Sequence, residues 1–172
     1  DLEYVEQPCA TVDELAELRR RVHYMDIPIA ADESVRKAAD PLAVAEAGAA
    51  DLIVVKAQPL GGIHAAQRIV AAAGLPAVVS SALDTSVGIA MGAHLAAALP
   101  ELDFDCGLGT VALFVDDVAD EPLVPVDGSI PVVRPTVSSS RLDALRADDE
   151  RTRWWLDRVR RCHRVLEHAV AL

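Results

Sequence analysis

Asp51-Leu52-Ile53-Val54-Val55-Lys56-Ala57-Gln58-Pro59-Leu60-Gly61-Gly62 is the stretch on which the fold is read. It opens on an aliphatic run, Leu52 to Val55, too brief and too stiff at χ1 for a helix and suited to a buried strand. Lys56 follows at once, then a Gln-Pro turn and a Gly-Gly pair that opens a helical pattern from Ile63 to Ala73. A lysine at the C-terminal mouth of a buried parallel strand stands where α/β folds carry their chemistry. The chain has two lysines against fourteen arginines, so Lys56 is set apart by type as well as by place. Taken alone, the stretch also fits a solvated residue at a strand end.

Four further runs share this design. Leu2-Glu3-Tyr4-Val5 ends at Glu6, and Ile27-Pro28-Ile29-Ala30-Ala31 ends at Asp32-Glu33-Ser34. Pro76-Ala77-Val78-Val79 ends at Ser80-Ser81, and Leu102-Asp103-Phe104-Asp105 at Cys106-Gly107. The polar strand ends fall at 6, 32, 56, 80 and 106, spaced by 26, 24, 24 and 26 residues. That is the length of a strand, loop, helix and return loop, repeated. In one parallel sheet, all of these polar groups converge on one face.

The helices between them are punctuated. Thr11-Val12-Asp13-Glu14 has the form of a capping box, followed by the apolar stripe Leu15, Leu18 and Val22. Asp40-Pro41 predicts an N-cap and first helical residue, with Gly48 as terminator. A third helix runs from Gly61 or Gly62 to Ala73 and closes at Gly74; a fourth runs from about Thr85 to Leu99 before Pro100. Gly88 and Gly92 in that fourth, alanine-rich helix predict close packing against a sheet. The expected division is a barrel-like portion over 1–113 and, over 114–172, an irregular, proline-punctuated segment leading into a helix. From Arg141 onward Trp154, Trp155, Val159, Cys162 and Val165-Leu166 recur at near-helical spacing between arginines, as in a packing element laid over another part of the protein.

At 172 residues the chain suffices for one domain with a sizeable core, and 52% hydrophobic with 3% aromatic content makes that core aliphatic. A net charge of −11 argues against nucleic acid as a partner. Cys9, Cys106 and Cys162 are odd in number and lack CxxC spacing, which suits reduced thiols in the cytoplasm. No run reaches the eighteen apolar residues of a membrane span, and none has the form of a signal peptide. The chain opens almost inside a strand without an initiator Met, which suggests a piece of something longer.

Glu6 and Asp32 are hard oxygen donors of the kind Mg²⁺ takes, or carboxylates that cap turns. Glu33, beside Asp32, could pair with Lys56 and orient it, or be a surface acid. His23, His64, His94, His163 and His168 show neither HExxH nor HxxxH spacing and read as structural or surface residues, and Ser86 lacks a GxSxG elbow, which disfavours a serine hydrolase. Gly107-Leu108-Gly109 offers either a backbone contact for a substrate carboxylate or a tight turn.

Tyr4-Val5-Glu6-Gln7-Pro8, Ala31-Asp32-Glu33-Ser34 and Lys56-Ala57-Gln58-Pro59-Leu60-Gly61-Gly62 together resemble the enolase superfamily, muconate-lactonizing subgroup. Ser80-Ser81-Ala82-Leu83-Asp84-Thr85-Ser86, with Cys106-Gly107-Leu108-Gly109-Thr110-Val111-Ala112-Leu113, is similar to the o-succinylbenzoate synthases of actinobacterial type. The resemblance implies the C-terminal part of a modified (β/α)8 barrel, about five βα units plus an irregular and helical tail. It implies Mg²⁺ held by Glu6 as second and Asp32 as third carboxylate ligand, Glu33 supporting Lys56, and Lys56 as a catalytic lysine. The proton α to a small-molecule carboxylate is abstracted in this superfamily, and positive charge stabilises the enediolate. In the synthases Lys56 would stabilise that charge; in the racemases and epimerases of the same scaffold it would be a second acid/base. Ser80, Ser81 and Gly107 are the candidate substrate contacts. The family's first metal ligand, its Lys-x-Lys base and its amino-terminal capping domain have no counterpart here, and a whole barrel takes ~250 residues. The expected partner is therefore a missing N-terminal portion of the same protein, and the fragment alone is expected to be inactive. A non-catalytic barrel fragment is the further alternative.

Overall fold

Parallel pairing requires a crossover of a dozen or more residues, usually a helix, between consecutive strands, and the apolar runs here are separated by such helices. The computed structural model, which describes residues 2–37 and 39–170 (168–170 by backbone alone, so the His168 side chain lies outside the described residues), shows that arrangement. Strands β1 (Val5–Glu6), β2 (Ile29–Ala31), β3 (Leu52–Val55) and β4 (Ala77–Val79) form one parallel sheet in sequence order. The register sets Val5 beside Ile29, Ala30 beside Leu52 and Ile53 beside Ala77. Helices α1 (Val12–Val22), α2 (Asp40–Glu46), α3 (Ile63–Ala73) and α4 (Ser86–Ala98) alternate with the strands.

The period of two along each strand divides the buried side chains between two faces. Ile29, Ala31, Ile53, Val55, Ala77 and Val79 pack with Leu15, Val44, Ala66 and Ile89 of the helices. Ala30, Leu52, Val54 and Val78 form a second cluster covered by Tyr4 and Phe104, whose rings meet edge-on at 5.6 Å. Burial of β3 on both faces explains why it reads as an unbroken apolar run.

Several local signals are honoured and others are not. The Thr11–Glu14 capping box forms, the Glu14 amide donating to the Thr11 hydroxyl at 3.2 Å and the Thr11 amide to the Glu14 carboxylate at 3.0 Å. Asp40, however, is the first residue of α2 and not its cap; its carboxylate turns back to accept from the Arg36 and Lys37 amides at 3.0 and 2.7 Å. The fifth strand expected over Leu102–Asp105 is also absent, and only Gly107 bridges to β4, through Ser80. Two aspartates in that run favour a turn-rich path over a ladder. In α4, Gly92 lets Leu108 approach, since a Cβ there would stand 2.5 Å from its Cδ2.

Contacts divide the chain into units at residues 1–137 and 138–172. Within the second, α5 (Ser139–Ala144) and α6 (Asp149–Val170) replace the single helix expected from Arg141, and Trp154 and Trp155 stack edge-on at 4.8 Å. No described helix is long and apolar enough to cross a membrane.

The 114–137 segment is fastened to the first unit by a buried carboxylate. Thr85 supplies no side-chain cap to α4; Asp117 does so from across the fold, accepting the Ser86 amide at 3.1 Å. The Ser86 hydroxyl in turn accepts the Leu123 amide at 2.7 Å, and all three residues are buried. Burial alone would raise the Asp117 pKa, but hydrogen bonds from the Ser86 hydroxyl and amide and from the Val118 and Ala119 amides outweigh it and hold the carboxyl below its ordinary range. A depressed folded pKa contributes stability above the unfolded value that is lost as pH falls through the folded one. Asp117→Ala should therefore lower stability by roughly 2–3 kcal/mol at neutral pH, with the deficit shrinking toward pH 3, as measured by urea unfolding across pH.

Candidate active site

Parallel strands in register lie about 4.8 Å apart, so residues that leave successive strands at the same end form a row. Here the row runs from Glu6 on β1 through Asp32 after β2 and Lys56 after β3 to Ser80 after β4, with Gly107 beside Ser80. The sheet's opposite end is structural: Asp51 accepts from the Ile29 amide at 2.9 Å and from Arg19 Nε at 2.8 Å, joining α1 to the starts of β2 and β3.

At the functional end the Lys56 ammonium forms an ion pair with Asp32 Oδ1. Both residues are buried, at 7% and 8% exposure. Removing one partner of such a pair strands a buried charge, at a cost of about 3–5 kcal/mol. Glu6, on the neighbouring strand, has its pKa raised by burial and then by the Asp32 carboxylate, with Lys56 acting in the opposite direction. Two carboxylates repelling each other at one mouth are a donor set that a hard divalent cation relieves. Among the described residues no group of three or more His, Cys, Asp or Glu side chains is placed to hold a metal ion. Glu6 and Asp32 supply the hard oxygen donors that Mg²⁺ takes, and that ion accepts two protein carboxylates when other oxygens complete its shell.

The expected Glu33–Lys56 pairing is not formed. Glu33 leaves the loop on the solvent side and lies 3.5 Å from Arg36, while Lys56 is taken by Asp32. The turn closed by the Val35 amide on the Asp32 carbonyl at 2.8 Å leaves Glu33 exposed, while Asp32 is buried against Lys56.

Ser80 and Gly107 face each other closely: a Cβ on Gly107 would stand 2.8 Å from Ser80 Oγ. The Ser80 hydroxyl lies 3.3 Å from the Gly107 carbonyl. The Ser81 hydroxyl turns inward, donating to the same carbonyl at 3.0 Å and meeting the Thr110 hydroxyl at 2.9 Å.

Gln7 was not marked as a site residue by sequence reasoning, yet it shapes the Asp32 loop. Its Oε1 accepts the Asp32 amide at 2.9 Å and the Ser34 amide at 3.2 Å. Its Nε2 donates to the Cys9 carbonyl and the Ser34 hydroxyl, both at 2.9 Å. The backbone reaches this position at φ +39°, a left-handed conformation that costs a non-glycine residue about 1 kcal/mol. Its place directly after a strand-end acid and before Pro8 was the available signal.

A family model described as enolase C-terminal domain-like matches residues 1–136. The chain belongs to that family. Its members of known structure share the fold: muconate cycloisomerase from Pseudomonas fluorescens superposes with a TM-score of 0.75 at 28% identity, covering 85% of this chain and 42% of that one. The 2-chloromuconate cycloisomerase from Rhodococcus opacus 1CP gives 0.71 at 32% identity, over 83% and 41%. These neighbours place the chain in the enolase superfamily beside its muconate-lactonizing enzymes, and the sheet with its helices is a C-terminal barrel portion of that fold. Among curated proteins, o-succinylbenzoate synthase of Mycobacterium tuberculosis H37Rv is 62% identical over 165 residues, covering 96% of this chain and 49% of its relative. The synthase of Mycobacterium ulcerans Agy99 is 57% identical over the same coverage. The chain spans about half the length of the curated relatives it matches.

The Gln7 clamp is tested by comparing two substitutions. Gln7→Ala loses four hydrogen bonds and keeps the strained backbone, so it should destabilise by about 2–3 kcal/mol. Gln7→Gly loses the same bonds but relieves the strain and should recover about 1 kcal/mol of that, both read from urea unfolding midpoints.

Proposed function

We propose that this chain is the C-terminal half of an o-succinylbenzoate synthase, a carbon–oxygen lyase. The reaction is the Mg²⁺-dependent syn-dehydration of 2-succinyl-6-hydroxy-2,4-cyclohexadiene-1-carboxylate, which yields a menaquinone precursor. The observation that carries the reading is the row Glu6, Asp32 and Lys56 at one mouth of a parallel sheet, in a chain similar over nearly its whole length to proteins of that name. Under this reading the enzyme works in the cytoplasm.

The chemistry asked of the site is removal of a weakly acidic proton next to a carboxylate. The C1–H electron pair becomes the new ring double bond, the C6–O bond breaks, and the hydroxyl leaves with a proton as water. The ring gains aromaticity with no change of oxidation state overall. Glu6 and Asp32 would hold Mg²⁺, which when bound supplies Lewis-acid charge to the substrate carboxylate. The Lys56 ammonium, fixed by Asp32, would oppose the negative charge that grows as the proton leaves, an effect worth several kcal/mol in a water-poor site. Glu33 would act on this centre only through the loop it shares with Asp32. The loops bearing Ser80, Ser81 and Gly107 would line the substrate. The remaining ligand, the base and the cap would come from the other half of the full-length protein, and the exposed apolar stripe of α6 would meet that half.

In the full-length protein, dehydration followed by absorbance should require Mg²⁺, vanish with EDTA and return on adding the metal. Lys56→Ala should lower kcat by about 10²–10⁴-fold, and the 172-residue chain alone should be inactive. A folded, Mg²⁺-binding protein that does not dehydrate this substrate but racemises N-succinyl amino acids in deuterated water would replace the synthase reading with a racemase. Unchanged turnover in Lys56→Ala would remove Lys56 from the mechanism.

A further inference from the structure

Three hydrogen bonds run in one direction through the loops after β4 and around Gly107. The Asp84 amide donates to Thr110 Oγ1 at 3.5 Å, Thr110 and Ser81 share a bond at 2.9 Å, and the Ser81 hydroxyl donates to the Gly107 carbonyl at 3.0 Å. Each hydroxyl has a single proton. Ser81 spends its proton on Gly107, so the proton between the two hydroxyls belongs to Thr110. The sequence is then Asp84 N–H to Thr110, Thr110 O–H to Ser81, Ser81 O–H to Gly107. Bonds aligned in this way polarise one another.

Both ends of the relay are anchored. The Asp84 carboxylate accepts the Ala82 amide at 3.2 Å and Gln58 Nε2, from the loop after β3, at 3.3 Å. The Gly107 carbonyl also accepts the Ser81 amide at 3.0 Å. Thr110 opens the short 3-10 turn Thr110–Leu113 and is the only described residue whose side chain bonds to both Ser81 and Asp84. Gly107 and Ser80 stand with no slack between them, so any shift of the Gly107 carbonyl changes both surfaces offered to substrate.

We propose that Thr110 is a positioning residue for substrate binding, acting through Ser81 to fix Gly107 against Ser80. Ser81 on this view serves the relay and not the substrate. The proposal rests on the synthase reading for its kinetic test, and hydrogen exchange tests the relay without it.

The experiment compares wild type, Thr110→Ser and Thr110→Val in the full-length protein. Valine keeps the shape and removes the hydroxyl; serine keeps the hydroxyl. Thr110→Val should raise KM about tenfold, the worth of one hydrogen bond of ~1.4 kcal/mol, with kcat within about threefold. Thr110→Ser should return KM to within about twofold of wild type. Unchanged KM in Thr110→Val, equal impairment in the two variants, or a fall in kcat that tracks the melting temperature would each overturn the proposal. Should wild type fail to dehydrate the substrate, the synthase reading falls by itself, and amide exchange decides the relay. Faster exchange at Ser81 and Asp84 in the valine variant but not the serine variant supports it; equal exchange in all three proteins overturns it.

Discussion

Parallel pairing of four short strands is the constraint from which the rest of this structure follows. Each ladder bond, such as Gln7 N–H to the Ala30 carbonyl at 2.8 Å or Ser80 N–H to the Val55 carbonyl at 2.9 Å, sets one strand end beside the next. Parallel geometry demands a crossover helix after every strand, and the helices bury one face while Tyr4 and Phe104 cover part of the other. With both faces apolar, charged groups are tolerated only where the strands stop. The polar row is therefore a consequence of the ladder as much as of the residues in it.

Electrostatics then shape what the row can do. A buried ion pair such as Lys56–Asp32 rarely adds stability in proportion to its burial, because desolvation offsets most of the attraction. Charge kept buried at the strand ends against that cost marks a candidate functional site. Glu6 sharpens the case: its pKa is raised first by desolvation and then by the nearby Asp32 carboxylate, and a cation would ease the second of these. Gln7 contributes from a strained backbone, using every polar atom of its side chain to hold the loop that carries Asp32 and Ser34.

Two further devices hold the fold. Asp51 with Arg19 closes the opposite end of the sheet, and Asp117 with Ser86 fastens the 114–137 segment beneath the start of α4. The first follows the usual economy of βα folds, with structure at the N-terminal strand ends; the second lies at the C-terminal end, where α4 begins after β4.

What the sequence by itself determined was the part governed by neighbours along the chain. The 24-to-26-residue recurrence of strand ends, the Thr11–Glu14 capping box and the Gly74 terminator of α3 all act within a turn or two of helix, or repeat at a fixed period, and each was legible in the residues. So was the family, because its strand-end residues recur in order and at set intervals. Only the tertiary structure decided which side chains meet. Lys56 took the buried Asp32 and not the exposed Glu33; Asp40 turned back to amides before it; Leu102–Asp105 formed no strand, and Gly107 beyond it made a single bridge to Ser80. Asp117 caps a helix 31 residues earlier, and Thr110 joins Ser81 across 29. Periodicity encodes the backbone's path, but a contact between residues so far apart depends on strand register and side-chain rotamer, neither of which is written in the local pattern.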